Sequence, residues 1–132
     1  DEAAAIDSRV HNLGRLEKST IKSTLCNYDY LLLPSKSEPF GIVLIEALAA
    51  GLPCIVSNAS GPTEVIKDGI NGFIFDLNNQ IDSFDDVMNK AINISEEQYF
   101  GMATRALDSS KKYDSSELVK KWIELIEMGN DE

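Results

Sequence analysis

Two glutamates, Glu38 and Glu46, stand with seven residues between them, Pro39-Phe40-Gly41-Ile42-Val43-Leu44-Ile45. Glu38 follows the apolar run Leu31-Leu32-Leu33-Pro34 by a few residues, and Glu46 interrupts Ile42 to Ala50, which is otherwise wholly apolar. Burying an unpaired ionised carboxylate costs roughly several kcal/mol, so Glu46 must reach a protein cation, water or a ligand that donates hydrogen bonds. A carboxylate accepts both protons of a vicinal diol, which suits a ribose, and Glu38 is placed to hold hydroxyls of a further sugar. Between them, Phe40 and Gly41 enter a helix whose free N–H groups and dipole favour a phosphate. No Gly-Lys-Ser/Thr sequence suggests a P-loop.

The elements that would carry these groups alternate. Arg9 to Leu13 reads as a short strand ending at Gly14, about Ser19 to Asn27 as a helix, and Tyr30 to Leu33 as a parallel strand covered on both faces. Gly41 to Ala50 is the clearest helix, ended by Gly51 with Pro53 beyond it, and Cys54 to Ser57 is a buried strand. A loop then enters a short helix at Pro62, and Gly69-Ile70-Asn71-Gly72 reads as a turn before the strand Phe73 to Phe75. Three helices follow: one carrying Ile81, Phe84, Val87, Met88, Ala91 and Ile92, one capped by Ser95 with Gln98 and running to about Lys111, and one capped by Asp114 or Ser115. Trp122, Tyr99, Met88 and Met102 read as packing among these tail helices. The pattern predicts a doubly wound α/β layer on a parallel sheet, where ligands bind at the carboxyl ends of the strands.

Composition narrows the partners. The 132 residues suit one domain, and 43% apolar with 26% charged residues is ordinary for a globular chain. A formal charge of −10, from 22 acidic against 12 basic residues, repels nucleic acid and anionic lipid. Cys26 and Cys54 have no metal or redox spacing and read as reduced core thiols, and His11 is assigned no role. With no leader or spanning segment apparent, the expected compartment is the cytoplasm.

In order along the chain, Val10-His11-Asn12-Leu13-Gly14, Tyr28 to Ser35, Glu38-Pro39-Phe40-Gly41, Glu46 to Pro53, Gly61 with Glu64, and Asp68 to Phe73 resemble the C-terminal domain of group 1 (family 4) retaining glycosyltransferases of GT-B architecture. The resemblance covers roughly Ser8 to Asp76. It implies a Rossmann-like sheet with helices on both faces, residues 1–80 forming the nucleotide-sugar-binding part and residues 81–132 a helical tail packed on it. It implies that Glu46 holds the donor's ribose and that Glu38 contacts the transferred sugar as the catalytic carboxylate. Backbone amides at Phe40, Gly41 and Ile42 would meet the sugar or diphosphate, and the base would lie near Gly14 to Leu16. No cofactor or metal is implied beyond the nucleotide-sugar donor, and the chain has no Asp-x-Asp pair.

The family's domain opens with a further segment whose Arg and Lys clamp the diphosphate, after an N-terminal domain that binds acceptor. Neither is expected within this chain, which then reads as a partial domain, inactive alone, with peripheral membrane contact only through regions outside it. The other reading is a non-catalytic nucleotide-binding or interaction module that keeps the fold.

Overall fold

The computed structural model describes residues 5–37, 41–78 and 80–113, together with Glu124. Helix α1 (Lys18–Leu25) leads to strand β1 (Leu31–Leu33), helix α2 (Ile42–Ala49), strand β2 (Cys54–Ser57), a short helix α3 (Pro62–Val65), strand β3 (Gly72–Phe75) and the long helices α4 (Gln80–Asn93) and α5 (Glu96–Ser110). A 3₁₀ turn, Lys111–Tyr113, ends the described helices. The strands form one parallel sheet in the order β1-β2-β3, pairing Leu31 with Cys54 and Cys54 with Gly72.

Alternation along the strands divides the core between the two faces. Cys54 and Val56 point to one face, where they meet Leu44, Leu48, Val65 and Ile66. Ile55, Phe73 and Phe75 point to the other, against Val87 and Ala91 of α4 and Met102 of α5. Leu44 and Leu48 are fully buried, each worth about 1.5–3 kcal/mol of transfer free energy. Helices therefore cover both faces of the sheet, as the alternating pattern predicts. Helix α5 joins the faces: Met102 belongs to one cluster and Ala106 to the other.

Local sequence explains the helix ends. Ser95 caps α5 by accepting from the Gln98 amide at 3.1 Å, while the Gln98 side chain accepts from the Ser95 amide at 2.9 Å. At the end of α2, Gly51 takes a φ of 71°, the Gly51 amide bonds the Leu48 carbonyl, and the Leu52 amide bonds the Ala47 carbonyl. This is the Schellman arrangement that a glycine in the left-handed region permits.

Several expectations need correction. Residues 9–13 form no strand, because short-range bonds hold the segment in turns: the Asp7 carboxylate accepts from the Arg9 amide and guanidinium, and the Asn12 side chain accepts from the Gly14 amide at 2.8 Å. Strand β1 is not covered on both faces, since Leu32 is 42% exposed, and Cys26 is exposed while Cys54 is buried. Gly72 opens β3 instead of making a turn, and a side chain there would strike the Cys54 carbonyl. Tyr99, Met88 and Met102 pack toward the sheet through Tyr30, Phe73 and Ile55, whereas Ile92 faces outward. The expected final helix, with Asp114, Ser115 and Trp122, lies outside the described residues. Among the described residues no helix is long and apolar enough to cross a membrane.

Candidate functional site

Parallel strands with returning helices bring α-helix starts to the carboxyl edge of the sheet. Helix α2 begins there after β1, at Gly41, which is buried and has φ 67° and ψ 55°. That left-handed geometry favours glycine, and among the described residues no side chain caps the helix at its first-turn N–H groups. The Leu44 amide turns back to the Gly41 carbonyl, at 2.9 Å. Helix α3 starts at the same edge after β2, with Gly61 at φ 98° and Pro62 in its first turn.

Glu46 occupies the second turn of α2. Leu44, Ile45, Ala47 and Leu48 turn into the core, while Ile42 is 40% exposed and Glu46, one turn on, is half-buried. The carboxylate is thus not sealed in apolar surroundings, as the unbroken run of apolar neighbours suggested, because an eight-residue helix buries only one face. No hydrogen bond or ion pair holds its side chain among the described residues, where the two salt bridges are Arg9–Asp7 and Lys111–Asp108, both exposed. A structural lysine or arginine partner, the plain explanation of such a glutamate, is not found there. A helical side chain in general leans toward the helix start, which for Glu46 is the direction of those first-turn N–H groups.

Gly14 and Leu16 lie in the loop that enters α1. Gly14 has φ 63°, Leu16 is 38% exposed, and Arg15, Leu16, Glu17, Lys18 and Ile21 line an open depression of about 430 Å³. Because α1 delivers the chain to the start of β1, its own beginning lies toward the carboxyl edge, and α1 packs against α2. Ile42 is the first residue of α2. Glu38 and Phe40 lie outside the described residues, so the predicted catalytic carboxylate has no position to report.

Sequence reading missed the bonds that tie this edge together. Ser57, at the end of β2, donates to the Ser35 carbonyl beyond β1. The Asn58 side chain donates to Asp76 at 3.0 Å and accepts from the Leu77 amide at 3.1 Å, joining the exits of β2 and β3. The polar residues Ser57 and Asn58 at the end of β2 and Asp76 just beyond β3 are the signal sequence offers for them. Among the described residues no cluster of His, Cys, Asp or Glu has the arrangement of a metal site.

A family model for "Glycosyl transferases group 1" matches residues 1–106. The chain belongs to that family. It is 33% identical over 123 residues to N-acetyl-alpha-D-glucosaminyl L-malate synthase of Bacillus anthracis, a match covering 92% of this chain and 31% of that protein. Among solved structures, Anabaena Alr3699/HepE in complex with UDP and glucose superposes with a TM-score of 0.78 at 23% identity, over 96% of this chain and 34% of that one. WaaG, a glycosyltransferase involved in lipopolysaccharide biosynthesis, gives 0.76 at 26% identity, over 95% and 33%. This group 1 glycosyl transferase chain has the alternating topology of one Rossmann-like GT-B half-domain. It spans only 15% to 31% of the length of the first curated relatives it matches.

Proposed function

We propose that this chain is the donor-binding part of a retaining, metal-independent glycosyltransferase that moves a hexose-type sugar from a nucleotide diphosphate to an acceptor in glycan or polysaccharide synthesis. The observation that carries this is Glu46: a half-buried carboxylate without a side-chain partner among the described residues, one turn beyond an uncapped helix start at the carboxyl edge of a parallel sheet. In this reading Glu46 accepts both ribose hydroxyls of the donor. The amides of Phe40, Gly41 and Ile42 face the diphosphate or sugar, Glu38 holds the transferred sugar, and the base rests near Gly14 and Leu16. The nucleotide-sugar class is supported by the UDP and glucose held by the Anabaena relative.

The chemistry asked of these residues is positioning and electrostatics. As the sugar–phosphate bond breaks, negative charge grows on the leaving diphosphate, and the helix start offers N–H donors to it; the same diphosphate oxygen can take the acceptor proton on the face it vacates. A cationic clamp preceding this chain, and an acceptor domain before that, belong to the reading as partners. Without the clamp the rate would fall by two or more powers of ten, on the order of 3 kcal/mol, so the chain alone is inactive. Residues 1–80 form the donor part, residues 81–132 the helical tail, and the setting is cytoplasmic.

Calorimetric titration of the complete enzyme with UDP, GDP and ADP, with and without Glu46→Ala, tests this. One nucleotide should bind saturably to the native protein, and the variant should lose most of that affinity. Equal binding by both proteins would remove Glu46 from the site.

A further inference from the structure

On the opposite, amino-terminal edge of the sheet lies a groove that the donor reading leaves without a use. Tyr30, just before β1, donates its hydroxyl to the Ala91 carbonyl of α4 at 2.9 Å, and Tyr99 of α5 donates to the Asp29 carbonyl at 2.8 Å. These bonds fix the two rings edge to face, with centroids 5.5 Å apart, and Phe100 extends the row at 6.0 Å from Tyr99. The three rings and Ile92 line an open groove of about 590 Å³, with Asp29 and Glu96 among its walls. Ile92 is 72% exposed and Phe100 59%, so the apolar surface continues outside the groove.

We propose that this groove docks a segment of a partner polypeptide that carries arginine or lysine among aliphatic residues. Neither the Asp29 nor the Glu96 carboxylate has a cation partner among the described residues. A cation entering between them also meets aromatic rings whose faces attract positive charge, and an arginine stacks on such rings while its stem covers apolar surface. The field of Asp29 reaches both rings: burial is the main cause that raises the Tyr30 and Tyr99 hydroxyls above the usual range, and Asp29 adds to it in each. Charge decides against the other occupants. Two carboxylates on a chain of net charge −10 repel an anionic membrane or a nucleic acid. A small amine would leave Ile92 and Phe100 uncovered, whereas a peptide with flanking aliphatic residues covers them. Because Tyr30 precedes β1 and Ala91 lies near the end of α4, the docked segment sits away from the carboxyl edge and leaves it open.

The full chain, ¹⁵N-labelled, is titrated with an acetylated and amidated LRLRL peptide and with its LELEL counterpart. The arginine peptide should produce saturable amide shifts centred on Asp29, Ile92, Glu96, Tyr99 and Phe100, weakening about tenfold between 50 and 500 mM salt as screening grows. The glutamate peptide should leave these amides unmoved. Asp29→Asn with Glu96→Gln, and separately Phe100→Ala, should each weaken binding about fivefold or more, the first through charge and the second through the ring. The variants alter exposed side chains, and an otherwise unchanged amide spectrum verifies their fold. Shifts spread over the whole acidic surface, equal response to the two peptides, unaltered binding by both variants, or silence at about 10 mM peptide overturns the proposal.

Discussion

The hydroxyl of Ser57, at the carboxyl end of β2, donates to the carbonyl oxygen of Ser35 in the segment leaving β1. Ser57 is fully buried and Ser35 half-buried, so removing the hydroxyl leaves that carbonyl without its donor. Ser57→Ala should cost about 0.5–1.5 kcal/mol of unfolding free energy, the usual net worth of one hydrogen bond. Urea unfolding with an unchanged slope and a lower midpoint would verify this. Because the chain from Ser35 continues through Glu38 to the buried Gly41, donor turnover in the complete enzyme should fall with the same substitution. An unaltered midpoint would mean the bond contributes nothing.

The pairing of β2 with β3 leaves no room beside Gly72. Its register partner is Cys54, and a Cβ at Gly72 would overlap the carbonyl oxygen of that residue. Backbone on a central strand cannot swing away as a flexible side chain would, so Gly72→Ala must push β3 off β2. A loss of about 3 kcal/mol is expected, the upper end for overpacking, visible as a lower midpoint in thermal or urea unfolding. Gly69→Ala, in the turn before β3, is the control: its Cβ meets nothing, and the cost there comes only from a φ of 75°.

Stability should decline in strong alkali partly through Tyr30. Burial chiefly, then Tyr99 and then Asp29, pushes its hydroxyl up to about 12 from the ordinary 10.0. The folded protein therefore holds this proton where the unfolded chain has released it. The contribution is whole below pH about 10 and is lost as pH rises from there through about 12. Tyr30→Phe, which has no proton to lose, should flatten the fall in unfolding free energy between pH 10 and 12 relative to the native protein. An identical pH slope in the two proteins would rule the coupling out.

What sequence revealed and what it did not follow from the range of the interactions. The Ser95–Gln98 cap and the Gly51 helix end involve residues three to five apart, and both stand as their residue types predict. The strand expected at residues 9–13 failed because alternation of apolar and polar residues fits an exposed loop equally well; Val10 and Leu13 are 43% and 51% exposed. The Ser57–Ser35 bond spans 22 positions and leaves no local trace. Glu46 could be singled out by its apolar neighbours, but its half-burial depends on which face of α2 meets the sheet, and that is settled by packing. The acidic, aromatic groove is likewise assembled from residues some 70 positions apart, as in Tyr99 bonding to Asp29.

The donor reading makes its sharpest demand on the charge of Glu46. A structural glutamate with one oxygen in solvent would tolerate Gln, which has nearly the same shape and keeps one acceptor oxygen. A carboxylate receiving two ribose hydroxyls would not, because the amide replaces an acceptor by a donor that meets a hydroxyl proton head on. Hydrogen bonds to a charged group are worth about 1.5–3 kcal/mol, so Glu46→Gln in the complete enzyme should lower kcat/KM for the nucleotide sugar about 10- to 100-fold while leaving the unfolding midpoint nearly unchanged. A 2′-deoxyribose donor supplies the second arm: it should be used poorly by the native enzyme and lose little more with the variant, since the hydroxyl and the carboxylate act as one pair. Full additivity of the two losses would place the diol against some other group.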